Sequence, residues 1–293
     1  MPLTLSTFNV KDFFEPLKDK IEHIATRLEQ ANADVVGLQE VGPEEVLDAL
    51  VRRVSPLGYA KVVGTADKRG IRNALLSRLP VVSSRVHVAA ELPFPRFGVN
   101  DRSPFGPRIP LRRGIVQARV QAPDLGDVDV IVVHFKSGRP VPLLDGAEMP
   151  ILPVTEKEYA EGMLRAMASR ASEALFVRGI VDGLLANDAA AKVAVVGDMN
   201  DVPGSLAVRI VCGRSLVPCD LGIPQDLRWS ILHNGNKQQL DHVLASRELS
   251  SRLSSAAFLN EGLRDHSVLE GALDSGATIT PDSDHAPLVV RFA

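Results

Sequence analysis

Several residue types on which whole function classes depend are scarce in this chain. Only two cysteines, Cys212 and Cys219, occur in 293 residues, too few for a disulfide framework or a zinc site built on thiolates. Both read as ordinary reduced thiols. Aromatic residues make up 4%, with one Trp and two Tyr, so platforms for stacking single-stranded bases are few. There is no basic excess either: 33 Lys and Arg stand against 36 Asp and Glu, a net charge of −3. Any grip on a polyanion must then be local rather than a long-range field. No apolar run approaches the roughly 20 residues of a membrane span. The opening "MPLTLSTFNV" lacks the basic stretch, apolar core and small-residue site of a secretory leader, so a cytoplasmic location is the expectation. No apolar hairpin suited to membrane insertion stands out.

What is present is the composition of a globular protein, 45% apolar and 24% charged, with no internal repeat, linker or compositional break. One domain over residues 1–293 is predicted. Residues 3 to 10 alternate as a strand does, and Leu17, Ile21, Ile24, Ala25 and Leu28 recur at helical spacing. A strand "VVGLQ", a helix at about 43 to 53 and strands near 60 to 64, 74 to 77 and 81 to 88 continue the pattern. Residues 91 to 113, dense in Pro, Gly and Arg, read as a long surface loop, and about 137 to 154 as a second one. Strands are predicted at 115 to 121 and 128 to 135. Leu164 to Leu185 mark a long amphipathic helix, and "KVAVVG" a central strand after it. A short helix near 205 to 212 and strands at about 240 to 245, 256 to 260 and 287 to 292 complete the chain. Strands adjacent in sequence, with few helices between groups, predict mixed sheets in an α plus β sandwich rather than a doubly wound fold.

Polar residues cluster where these apolar strands end. They are Asn9 after "STF", Glu40 after "VVGLQ", His134 after "VIVV", then Asp198, Asn200 and Asp201 in "VVGDMND", Asp241 in "QLDHVL" and the pair Asp284 and His285 in "SDHAPL". One carboxylate after a strand is most simply a turn or cap residue. As a set they are different, because strand ends on one edge of a sandwich converge. So many carboxylates, amides and imidazoles together call for a cation and an anionic ligand. Hard oxygen donors without thiolates favour magnesium, or manganese in its place, and point to a phosphate ester as substrate. Glu40 can hold the ion, Asp198 can accept a proton from an attacking water, and Asn200 can orient that water or donate to a phosphoryl oxygen. His134 and His285 can hydrogen-bond the developing charge, with Asp241 keeping one of them cationic.

"TFNV", "LQE", "VVHFKS", "VVGDMND", "LDHVLAS" and "SDHAPL", in this order, resemble the signature blocks of the endonuclease/exonuclease/phosphatase superfamily of metal-dependent phosphoesterases. The resemblance implies a four-layered α/β/β/α sandwich, with two mixed sheets face to face and helices outside. It further implies Glu40 as principal metal ligand with Asn9 and Asp284 close by, Asp198 as base, Asn200 and His134 at the phosphate, and His285 paired with Asp241. "HFKS" followed by "GRP" is similar to a bacterial nuclease branch, which implies Lys136 as a phosphate or metal-side contact, the other reading being a solvated strand-end lysine, and "GIRNALLSR" resembles the strand lining the family site, which adds Asn73. Arg113 joins them as a substrate-side cation, since it opens the strand "GIVQARV"; Arg96, Arg102, Arg108 and Arg112 in the same loop read either as an electropositive rim or as a solvated surface.

The leading expectation is a magnesium-dependent nuclease acting on DNA or RNA. The alternative is a phosphatase or phosphodiesterase for a small-molecule or lipid ester, which the acidic balance would suit. The Trp-Cys-Asp-Arg stretch of inositol phosphatases is replaced here by "QLDHVLAS", which disfavours that branch. A binding protein that has lost its chemistry would lack the base, the metal carboxylate or the terminal histidine, and all three are present.

Overall fold

A computed structural model of the chain describes residues 2–94, 109–145, 147, 149–266 and 282–293. Most of the expected loop at 91 to 113 falls outside these residues, and so do Arg96, Arg102 and Arg108.

The first half runs β1 (Leu3–Phe13), α1 (Lys18–Ala31), β2 (Val35–Val41), α2 (Glu44–Arg53), β3 (Ala60–Val63), β4 (Arg72–Ser77), β5 (Val81–His87), β6 (Ile115–Ala122) and β7 (Gly126–His134). Then follow β8 (Leu143–Leu144), β9 (Pro150–Ile151), α3 (Glu156–Asn187), β10 (Lys192–Asp198), α4 (Leu206–Cys212), β11 (Leu216–Pro218), β12 (Ile231–His233), β13 (Asn236–Gln238), β14 (Asp241–Ser246), α5 (Arg247–Ser250), β15 (Leu253–Phe258) and β16 (Leu288–Phe292). Two six-stranded sheets form, in the orders β15-β16-β1-β2-β4-β3 and β11-β14-β10-β7-β6-β5. Each contains one parallel pair, β1 with β2 and β7 with β10, and antiparallel neighbours otherwise. A parallel pair needs a crossover. Helix α1 supplies it in one sheet and α3 in the other.

Strand pleating sorts the apolar residues into three layers. Leu3, Leu5, Val35, Val132, Ala194, Val196, Val243, Ala245, Leu288 and Val290 fill the space between the sheets. Phe8, Val36, Leu38 and Leu76 face α1 and α2 on one outer side, and Ile131, Val133, Val193, Val195 and Leu244 face α3 and α4 on the other. This is the expected α/β/β/α sandwich. The sheets pack closely at Gly37, where an added Cβ would stand 2.7 Å from Val196 Cγ2.

Two local expectations change. The long helix starts at Glu156, eight residues before Leu164, behind a capping box in which Glu158 N donates to Thr155 Oγ1 (3.2 Å) and Thr155 N to Glu158 Oε2 (3.1 Å). Its first turns face water, so no buried apolar stripe marks them. The loop at 137 to 154 contains the hairpin β8–β9, and it is apolar. Leu143, Leu144, Met149, Ile151, Leu152 and Val154 are exposed there, as are Tyr159, Met163, Leu164 and Met167 of α3. No apolar hairpin is legible in the sequence here, because two-residue strands among prolines leave no alternation to detect.

Candidate active site

The alternation that builds the inter-sheet layer also delivers its polar end. Asn9 has the parity of Leu3 and Leu5, His134 that of Val130 and Val132, Asp198 that of Ala194 and Val196, and Asp241 that of Val243 and Ala245. All four therefore point between the sheets, just past the apolar filling. Register brings three of them abreast, with Asp198 opposite His134 on one side and Asp241 on the other. Glu40 would break the pattern, since it has the parity of Val36 and Leu38, which face the helices. A positive φ of 60° at Glu40 turns it out of that register, a strained conformation of the kind found at functional positions. Gly197 has φ of 151°, and a Cβ there would lie 1.9 Å from Val133 O, which is why the residue before Asp198 has no side chain.

Asn9 joins the two sheets. Its Nδ2 donates to Glu40 Oε1 (3.3 Å) and to Asp198 Oδ2 (3.0 Å), while its Oδ1 accepts from Lys11 N (2.9 Å). Asp12 N donates to the other Glu40 oxygen (2.9 Å). His134 Nε2 stands 3.8 Å from Glu40 Oε1 and 3.6 Å from Asp198 Oδ2. Asn200 donates from its backbone N to Asp198 Oδ1 (2.8 Å) and from Nδ2 to Asp198 Oδ2 (3.2 Å) and Phe135 O (3.0 Å). His285 Nδ1 lies 2.7 Å from Asp241 Oδ2. Ser283 Oγ donates to Asn9 O (2.6 Å) and accepts from His285 N (3.0 Å), tying the last turn to the first strand.

The electrostatics separate the two histidines. Burial, with Arg113 and His285 adding to it, holds His134 well below the ordinary histidine range, so its ring is neutral. Burial opposes charge on His285 too, but Asp241 in contact, with Asp198 and Asp284 nearby, lifts it to about 10. Asp198 is pushed up to about 7 by burial and by Asp241, against the pull of His285, Asn200 and Asn9. Two carboxylates side by side in register repel, and the His285 cation is what makes the pair tenable.

Asp284 enters the cluster through Lys11, whose Nζ donates to Asp284 Oδ2 (2.9 Å) and lies 3.0 Å from His266 Nδ1. Against its burial, His285 and Lys11 hold Asp284 below the usual carboxylate value. The three residues expected to contact substrate each have partners within the protein. Asn73 is fully buried and donates to Gly114 O (3.0 Å). Arg113 pairs with Asp67 (3.2 Å) and reaches His134 O and Phe135 O (3.4 and 3.5 Å). Lys136 turns its ammonium onto Ser137 O and Arg139 O, both at 2.8 Å, and burial leads the causes that lower it to about 8. A strand-end position does not reveal whether a long side chain points out or folds back. Lys11, Ser283 and the α3 residues Arg170 and Glu173 carry no signal in the sequence, since their partners lie 31 to 274 residues away.

Among the described residues no three His, Cys, Asp or Glu side chains are grouped to hold a metal ion by themselves. The donor set at Glu40 still suits a hard cation. It offers one oxygen-donor carboxylate, a fifth exposed at the site mouth, and no thiolate. Magnesium is characteristically held by one or two carboxylates, with waters and substrate oxygens completing its shell.

No described helix is long and apolar enough to cross a membrane. Residues 6–285 match the profile of the Endonuclease/Exonuclease/phosphatase family. None of the curated proteins compared matches the chain. Several solved structures share its fold. Truncated TDP2 of Caenorhabditis elegans has a TM-score of 0.65 at 13% identity, over 100% of this chain and 97% of that one. TDP2 of D. rerio complexed with a single-strand DNA product has 0.62 at 14%, over 100% and 99%. The 3′-5′ exonuclease NExo of Neisseria meningitidis has 0.62 at 17%, over 99% of both. With a profile match spanning nearly its whole length and the signature residues gathered at one end of the sandwich, the chain belongs to the endonuclease/exonuclease/phosphatase family.

Proposed function

We propose that the protein is a divalent-metal-dependent phosphodiesterase that acts as a nuclease on DNA or RNA, by attack of an activated water on phosphorus. The observation that carries this reading is the bridging amide of Asn9, within 3.3 Å of Glu40 and 3.0 Å of Asp198. A carboxylate suited to a metal and one suited to a base are thereby fixed side by side across the two sheets. Magnesium, or manganese in its place, would be held at Glu40 with Asn9 and Asp284 nearby, and would polarise a phosphoryl oxygen when bound.

The residues divide the remaining work. Asp198, with a pKa of about 7, is suited to taking a proton from water near neutrality. Asn200 and Asn9 orient that carboxylate by donating to it. The neutral His134 can donate Nε2–H to a phosphoryl oxygen, and the cationic His285, backed by Asp241, faces the charge that develops there. That one relative was solved with a single-strand DNA product favours nucleic acid as substrate.

A second reading, a phosphodiesterase for a lipid or other small ester, is favoured by the apolar hairpin. Chain and helix connect it directly to the site. Arg165 Nε donates to Val141 O (2.9 Å) just before β8, and Arg170, farther along α3, donates to Lys136 O (3.0 Å). A side-by-side assay of plasmid, single-stranded DNA, RNA, an inositol phosphate, a vesicle-borne phosphodiester and a generic diester, with and without chelator, tests both. Chelator-sensitive cleavage of nucleic acid is expected. Preference for the vesicle-borne ester would move the assignment to the second reading, and activity indifferent to chelator would defeat the metal role.

A further inference from the structure

The three residues after β7's apolar run are held by more than their strand. Arg113 donates to His134 O and Phe135 O (3.4 and 3.5 Å), and Asn200 Nδ2 to Phe135 O (3.0 Å). Phe135 N donates to Asp198 O (3.0 Å). Both main-chain groups of Lys136 are held from one turn of α3: Lys136 N donates to Glu173 Oε2 (2.6 Å), and Lys136 O accepts from Arg170 Nη1 (3.0 Å). Arg170 Nε also donates to Asp201 Oδ2 (3.0 Å), in the turn that carries Asn200. Spacing of three residues puts Arg170 and Glu173 on one helix face.

Glu173 is an expensive choice if packing were its purpose. It is 2% exposed and burial raises its pKa, so a leucine or methionine would fill the space with less desolvation. What a carboxylate adds is an acceptor aimed at one main-chain N–H, two residues past His134. We propose that Glu173 and Arg170 are positioning residues, which lock the peptide at Lys136 and tie it to the Asp201 turn so that His134 and Asn200 keep their places beside Asp198. The proposal rests on the phosphodiesterase reading of the site and adds to it the part of α3 that holds the site together.

Two variants of the full chain test it. Glu173→Leu fills the space and removes the acceptor, whereas Glu173→Gln keeps an acceptor oxygen without charge. With magnesium and a generic phosphodiester, the Leu variant is expected to lose kcat by about ten- to a hundredfold with KM little changed, as small displacements of catalytic groups do. The Gln variant is expected to keep kcat within about threefold of wild type. Amide hydrogen exchange over residues 134–137, measured without metal or substrate, should quicken in the Leu variant and stay slow in the Gln variant. A folded Leu variant with wild-type kcat overturns the proposal. So does a Gln variant with slow exchange but a kcat as low as that of the Leu variant. Should the Leu variant not fold, Arg170→Met takes its place, and unchanged kcat and exchange there are equally fatal. A wild-type chain that hydrolyses no phosphodiester would defeat the functional reading instead, and the exchange measurement would still decide the clamp.

Discussion

Between the two sheets lie two regions made by the same strands on the same pleat face. In the middle, Leu5, Val35, Val132, Val196 and Val243 are apolar and fully covered. A few residues along, the positions of equal parity are Asn9, His134, Asp198 and Asp241, also buried but all polar. The middle gains by removing carbon from water, at about 25 cal/mol per Å², while the end costs stability, because buried carboxylates in register repel and desolvate. The difference teaches that the site is a continuation of the core, held in place by packing it does not itself improve.

The comparison is broken most sharply by removing chemistry at the polar end. Asp198→Ala or His285→Ala is expected to lower hydrolysis by at least about a hundredfold, the effect of losing an acid/base or electrostatic group. Circular dichroism should show the fold intact. Near-normal turnover in either variant would remove that residue from the mechanism.

At the apolar middle the converse is expected. Gly37→Val pushes carbon into a space where a Cβ already meets Val196 at 2.7 Å, and should destabilise by about 1–3 kcal/mol. Denaturant unfolding checks this. A neutral result would mean that the sheets can separate locally, and the site would then have less rigid support than the packing implies.

How far sequence patterns reach follows from the same contrast. Short β-branched runs such as "VDVIVVH" and "VAVVGD" announce buried strands, and their polar last residues announce the site, since both signals live on consecutive residues of one strand. Glu40 was legible as a strand-end carboxylate, but the positive φ that aims it was not, because the twist is imposed by Asp12 N and Asn9 holding its two oxygens. Lys11 and Glu173 could not be read at all, since their partners lie hundreds and tens of residues away. Arg113 and Lys136 were legible as cations beside the ends of β6 and β7, but not their present partners, Asp67 and the His134 and Phe135 carbonyls for one and the Ser137 and Arg139 carbonyls for the other.

A smaller effect is expected at the mouth of the site. Glu40→Gln keeps the shape of the side chain and an acceptor for Asp12 N while removing the charge a divalent ion would need. The magnesium concentration for half-maximal activity should rise about tenfold, which corresponds to ~1.4 kcal/mol, with the melting temperature of the metal-free protein nearly unchanged. An unaltered titration would transfer the ligand role to another carboxylate.

The smallest effect on stability is expected farthest from the inter-sheet layer, at the hairpin. Leu152 and Val154 are 76% and 90% exposed, so replacing both with Ser removes little buried area and should change unfolding free energy by less than about 0.5 kcal/mol. So many exposed apolar side chains on one hairpin are unusual for a region that meets only water. If the enzyme works on nucleic acid, the double variant cleaves DNA as the wild type does. If the natural ester sits in a lipid surface, the same variant loses activity on vesicles while keeping it on a soluble diester, because an apolar surface contributes to adsorption and not to the attack of water on phosphorus.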